Sequence, residues 1–249
     1  DEALSAADID GDGDDDLLLG TLWLQQNDDG WLVMTLHDAN GAPDRNKLAD
    51  INRDGRLDAV VGFEAISKAG PLVWYEQGTE VTVPWRKHVI ANPEIIGPMS
   101  LDVADVNGDG YLDVIAGEHN TAQPETAALY VFYNQDDTGL NWESQLIYMG
   151  DEHHDGSQLF DMDNDGDLDI ISIGWTHDRV LIYENKGTAA LASLSESPMD
   201  LPLETATPAV ATSETSQISD RVFKGLIVYY PFKKGRVLLL RINLAWYRR

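Results

Sequence analysis

Asp105-Val106-Asn107-Gly108-Asp109-Gly110-Tyr111-Leu112-Asp113 is the stretch on which the reading of this chain turns. It places side-chain oxygens at the first, third, fifth and ninth positions and glycine at the sixth, the arrangement a short loop needs to wrap a hard cation such as Ca²⁺. Three further stretches obey the same rule: Asp8, Asp10, Asp12 and Asp16 around Gly13; Asp50, Asn52, Asp54 and Asp58 around Gly55; Asp161, Asp163, Asp165 and Asp169 around Gly166. The seventh residue varies freely (Asp14, Arg56, Tyr111, Asp167), as expected where only its backbone carbonyl would be a ligand. The glycine is expected to supply a turn that a side chain would obstruct.

The loops begin at residues 8, 50, 105 and 161, and other features recur in step with them, which marks an internal repeat. Each loop runs into an apolar stretch ending in glycine, such as Ala59-Val60-Val61-Gly62 and Val114-Ile115-Ala116-Gly117, which predicts strands buried on both faces. A second strand follows, as in Trp74-Tyr75-Glu76-Gln77, Phe132-Tyr133-Asn134 and Tyr183-Glu184-Asn185. A third begins at Trp31, Trp85 or Trp142, and a fourth, such as Ser100 to Ala104, leads into the next loop. Four antiparallel strands per unit of about 55 residues make a β-propeller blade. The expected fold is all-β: a partial propeller of about four blades over residues 1–187, either an open arc or a four-bladed closure.

Net charge divides the chain. Residues 1–187 hold 38 Asp and Glu against 9 Lys and Arg, a balance of −29, whereas 188–249 carry +3. Such an acidic surface repels nucleic-acid phosphates and anionic membranes, so nucleic acid is not an expected partner. Four bound Ca²⁺ would offset eight of those charges. With no cysteine there is no disulfide framework and no thiolate metal site, and with no 18-residue apolar run no ordinary membrane span is expected. The chain does not begin with Met, so a missing N-terminus is expected. Residues 188–220, rich in Ala, Ser, Thr and Pro, read as a flexible linker, and 221–249 as the truncated start of a second β-domain or an unstructured tail.

Loops, strands ending in glycine and tryptophan-led strands together resemble the FG-GAP/VCBS repeats that build calcium-bound β-propellers in secreted and cell-surface proteins. The resemblance covers residues 1–187 and implies about four Ca²⁺ on the loop residues named above, an extracellular location and a binding role toward a glycan or a cell-surface protein. The Phe-Gly…Gly-Ala-Pro signature is missing, so integrin-like ligand binding is not implied. Gly225 to Phe232 resembles the opening strand of laminin-G and concanavalin-like domains. Helix-loop-helix calcium sites are excluded by the twelfth positions, Leu19, Val61, Ala116 and Ser172, where such a site carries a bidentate Glu. Dockerin-type pairs would follow each other closely and enter helices.

Outside the loops, His119, His154, His177 and Glu64 are the candidate catalytic groups. Placed on one rim of the blades, they would suit proton abstraction beside a uronate carboxylate, as in a polysaccharide lyase assisted by Ca²⁺. The plainer alternative is a set of polar loop residues without chemistry. Among the aromatics, Trp74, Trp85, Trp142, Tyr75, Tyr133 and Tyr183 are expected to pack the core, while Trp23, Trp31 and Trp175 are candidates for ligand contact.

Overall fold

The computed structural model describes residues 3–37, 41–187 and 223–229. They form an all-β fold of four antiparallel four-stranded meanders. Sheet I holds β1 (Leu4–Ala7), β2 (Asp16–Leu19), β3 (Leu22–Asn27) and β4 (Gly30–Thr35). Sheet II holds β5 (Pro43–Ala49), β6 (Asp58–Phe63), β8 (Leu72–Glu76) and β9 (Arg86–Val89), with β7 (Ala69–Gly70) leaving it to pair with β10 (Ile95–Ile96). Sheet III is β11 (Pro98–Ala104), β12 (Asp113–Glu118), β13 (Ala128–Asn134) and β14 (Trp142–Met149). Sheet IV is β15 (Gly156–Phe160), β16 (Asp169–Ile173), β17 (Arg179–Asn185) and β18 (Phe223–Tyr229).

Two groupings differ from the sequence reading. Each acidic loop is the hairpin connection between the first and second strands of one sheet, so the strand that enters a loop pairs with the strand that leaves it: Ala49 opposes Asp58, and Ala104 opposes Asp113. The loop curls on itself, its first Asp bonding the N–H of the sixth-position glycine, so its two ends emerge side by side as an antiparallel pair needs. The second difference is β18. Residues 223–229, expected to open a separate unit, pair along the whole of β17 from Asn185↔Phe223 to Arg179↔Tyr229. Among the described residues no tryptophan-led strand follows β17, and an unpaired β17 would leave a row of open backbone donors and acceptors; the β-branched and aromatic residues of Leu226-Ile227-Val228-Tyr229 are suited to close it. The linker 188–220 and residues 230–249 lie outside the described residues.

Successive sheets stack through their first strands, β1 against β5, β5 against β11 and β11 against β15. Alternating side chains fill the gaps. In β6, Ala59 and Val61 join Leu18, Trp23, Tyr75 and Trp85 between sheets I and II, whereas Val60 turns the other way to meet Trp74, Val114 and Ala116 between sheets II and III. In β12, Ile115 faces Val131, Ile170 and Leu181 between sheets III and IV. Continuous apolar runs are therefore what a strand sandwiched between two other sheets requires. Trp74, Trp85, Tyr75, Tyr133 and Tyr183 are buried as expected, but Trp23, proposed from sequence for ligand contact, is a core residue at 1% exposure. It lies on β3, where alternation directs it into the gap between sheets I and II.

Candidate functional site

The four loops share one internal wiring. The first Asp accepts the N–H of the sixth-position glycine in every copy: Asp8 from Gly13 at 3.1 Å, Asp50 from Gly55 at 3.0 Å, Asp105 from Gly110 at 2.8 Å and Asp161 from Gly166 at 3.1 Å. The fifth residue accepts from the seventh: Asp12 from Asp14, Asp54 from Arg56, Asp109 from Tyr111 and Asp165 from Asp167, at 2.9 to 3.0 Å. The third residue (Asp10, Asn52, Asn107, Asp163) accepts from the fifth.

The sixth glycines have φ of 85° to 99° and open space where a Cβ would stand, so glycine is required by the backbone angle and not by obstruction. A second left-handed residue stands at the fourth position of each loop, Gly11, Arg53, Gly108 and Asn164, with φ between 58° and 79°. The sequence rule did not include that position.

The ninth-position carboxylates, Asp16, Asp58, Asp113 and Asp169, are buried, and each clamps two backbone N–H groups: one from the loop's second residue, one from a residue within one position of the end of the sheet's third strand. Asp113 accepts from Val106 and Asn134, both at 3.0 Å; Asp58 from Ile51 at 3.0 Å and Gln77 at 2.9 Å. Asp169 takes Met162 and Asn185, and Asp16 takes Ile9 and Gln26. Burial pushes Asp58 and Asp113 up to about 7, against the pull of those hydrogen bonds and with help from the neighbouring loop carboxylates. Asp16 and Asp169 are raised by burial too.

The same third-strand ends hold the sheets together. Gln77 donates its side-chain amide to Ile9 O at 2.7 Å, Asn134 to Ile51 O at 3.2 Å and Asn185 to Val106 O at 3.3 Å. The second residue of a loop is thus caught at its N–H by its own ninth Asp and at its carbonyl by the following sheet. These amides stood in the repeated strand ends Glu76-Gln77, Tyr133-Asn134 and Glu184-Asn185, yet sequence reasoning gave them no role.

As a cation site the loops are not equal. An oxygen from each of Asp8, Asp10 and Asp12 lies within 4.8 Å of the others, and the same holds for Asp161, Asp163 and Asp169. In the second and third loops an amide stands at the third position, and Asn52 and Asn107 donate to Asp54 and Asp109 at 3.2 and 2.8 Å. Arg56 also pairs with Asp54 through its guanidinium, and Arg53 lies 5.6 Å over the Tyr111 ring, joining the second loop to the third. The all-Asp loops carry the less compensated charge. Donors that are all oxygen, grouped around a ninth-position carboxylate whose charged form is disfavoured by burial and by its neighbours, fit a hard divalent cation.

Residues 50–116 match the FG-GAP-like repeat. That span runs from the second loop through sheet II and the third loop into β12. No curated protein matches the chain.

The residues proposed for catalysis divide. His119, just past β12, and His154, in the β14–β15 connection, are buried together, with ring centroids 4.1 Å apart. His177, in the β16–β17 turn, donates Nε2 to Glu152 O at 2.9 Å. Glu64 stands exposed on the loop after β6. The centre of the histidine group is Glu152, which sequence reasoning missed. It is fully buried; one carboxylate oxygen bonds His119 Nδ1 and the His154 N–H, and the other accepts the N–H groups of Trp175 and Thr176. His153 points the other way, to Ser172 Oγ at 2.8 Å, and burial pushes it down to about 3.

A cavity of about 200 Å³ opens between sheets II and III, lined by Tyr130, Phe132, Trp142, Asn92, Glu94 and Ser144 among others. Trp142, read from sequence as core, is half-buried there and donates its indole N–H to Gly139 O at 2.8 Å. Trp31 and Trp175 are 50% and 70% exposed. Among the described residues no helix is long and apolar enough to cross a membrane.

Proposed function

We propose that this chain is part of a calcium-stabilised β-propeller that acts as a binding module outside the cell, secreted or on the surface, with a glycan or another surface protein as its partner. The observation that carries this reading is the fourfold wiring of the loops. Four copies share the same three internal bonds and the same ninth-position clamp, each with an oxygen-only donor set at the entrance of a sheet. About four Ca²⁺ would be held by Asp8, Asp10, Asp12 and Asp16; Asp50, Asn52, Asp54 and Asp58; Asp105, Asn107, Asp109 and Asp113; and Asp161, Asp163, Asp165 and Asp169. The backbone carbonyls of Asp14, Arg56, Tyr111 and Asp167 would complete the sets. The ion supplies positive charge to carboxylates that otherwise repel one another at the sheet entrance.

For the partner, the cavity between sheets II and III supports a glycan. Planar rings of Tyr130 and Trp142 beside Asn92, Glu94 and Ser144 suit a pyranose, which offers an apolar face and a rim of hydroxyls. The lyase alternative has less support, since His119 and His154 are buried while Glu64 is exposed, and the four residues do not face one open cleft.

Melting the protein in Ca²⁺ and in EDTA tests the calcium reading, and coincident curves would end it. A glycan array with wild type and Trp142→Ala tests the partner. Ca²⁺-dependent binding lost in the variant is expected, and unsaturated product from acidic polysaccharides would favour the lyase instead.

A further inference from the structure

We infer that His119, Glu152 and His154 form a site for a divalent transition ion of the Zn²⁺ class, separate from the acidic loops. A ring nitrogen of each histidine and a carboxylate oxygen of Glu152 lie within 4.8 Å of one another, and all three residues are buried. Their donors differ in kind from those of the loops: two imidazoles and one carboxylate select zinc-like ions, whereas calcium takes oxygen alone.

Two features beyond proximity point to an ion. Asp155 Oδ1 sits 2.8 Å from His154 Nδ1, so the carboxylate takes that N–H and leaves the Nε2 lone pair for a ligand bond; a carboxylate fixing the tautomer of a histidine is the usual support around a zinc ligand. The Glu152 carboxylate has no exposure, and its partners are one imidazole and three main-chain N–H groups, so its charge lacks a full counterion at that point. The nearby guanidinium of Arg179 is engaged by Asp151. The proximity itself is built from two directions in the chain, the imidazole rings lying 4.1 Å apart beside that carboxylate. His119 extends from sheet III, while Glu152 and His154 sit in the crossing to sheet IV, whose turn at Trp175 and Thr176 also binds Glu152. An ion there ties the two sheets together at the end opposite the acidic loops. Three protein ligands leave a fourth tetrahedral position for water.

The test uses the full chain with Ca²⁺ in excess, so that the acidic loops are occupied. Zn²⁺ titrated by calorimetry should bind at one equivalent, and Co²⁺ in its place should give the visible absorption of a four-coordinate nitrogen and oxygen site. His119→Gln and His154→Gln should each remove that band and weaken zinc by more than tenfold. Asp155→Asn, which leaves all three ligands in place, should weaken zinc by about 10- to 100-fold. Asp113→Asn in the third acidic loop should leave zinc binding unchanged. If the histidine variants fail to fold, Asp155→Asn and the Co²⁺ spectrum of the wild type still decide. Absence of a zinc equivalent in excess Ca²⁺, a Co²⁺ spectrum of purely octahedral oxygen type, or unchanged binding in Asp155→Asn would each overturn the inference. Because calcium is supplied throughout and read separately by melting, failure here is distinct from failure of the calcium reading.

Discussion

Asp113→Asn separates two tasks of the ninth-position carboxylate. In the metal-free protein the carboxyl is fully buried and sits at about 7 against an ordinary 3.8. Its folded pKa lies above its unfolded one, so the native state prefers the protonated form. Stability of the metal-free protein therefore falls as pH rises from about 4 to about 7, and is level above that. The rise from 3.8 to about 7 corresponds to about 4 kcal/mol lost by pH 8. Asparagine removes that charge. Its single oxygen can accept from only one of Val106 and Asn134, however, and the orphaned N–H costs about 1–3 kcal/mol.

Without calcium at pH 8, the relief of about 4 kcal/mol outweighs the orphaned N–H's cost of about 1–3 kcal/mol, and the variant should melt above wild type. With calcium the balance moves toward wild type: a site filled at a hundredfold over its Kd contributes about 2.7 kcal/mol, which the variant forfeits. At about 2–4 °C per kcal/mol for a domain of this size, adding calcium should then raise the melting temperature of the wild type roughly 5–10 °C more than that of the variant. Scanning calorimetry at pH 8, in Ca²⁺ and in EDTA, gives the four curves. Equal destabilisation in both conditions would refute the reasoning, because it would mean the carboxylate only clamps backbone.

Further expectations concern the amides, the glycines and the exposed aromatics. Asn134→Leu should destabilise by about 1–3 kcal/mol by orphaning the buried Ile51 carbonyl, measured by urea unfolding. Gly139→Ala should cost more than about 1 kcal/mol, since its φ is 65° and the new Cβ would stand 2.8 Å from both Ile51 Cγ2 and Trp74 Cζ2; a melting point unchanged within error would contradict that. Trp175→Ala should leave stability within about 0.5 kcal/mol, the side chain being 70% exposed. A large loss of melting temperature would show that the indole is structural.

The acidic loops were legible because everything that defines them lies within nine consecutive residues, and the burial of β6 and β12 was legible because apolar runs report two covered faces. Which strands belong together was not. Ala49 and Asp58 are neighbours only once the loop closes as a hairpin. β18 escaped because 37 residues separate Asn185 from Phe223, and nothing local announces a pairing at that distance. Glu152 escaped for a similar reason. His119 lies 33 positions earlier in the chain, and the two meet only because sheets III and IV stack. Gln77, Asn134 and Asn185 were visible as a recurring amide, but periodicity describes which face a side chain takes and says nothing of a carbonyl waiting in the sheet before.

Those amides give the repeat a polarity. Asp113 holds Asn134 in place, and Asn134 reaches back to the second loop, not to its own. Damage to one unit should consequently be felt one unit upstream: loosening Asn134 weakens the grip around Ile51, and loosening Asn185 the grip around Val106. At the trailing end Met162 holds the position that Ile9, Ile51 and Val106 fill elsewhere, and it is 40% exposed where they are buried. The consequence of a substitution at one sheet is thus to be sought in the acidic loop of the neighbour that precedes it.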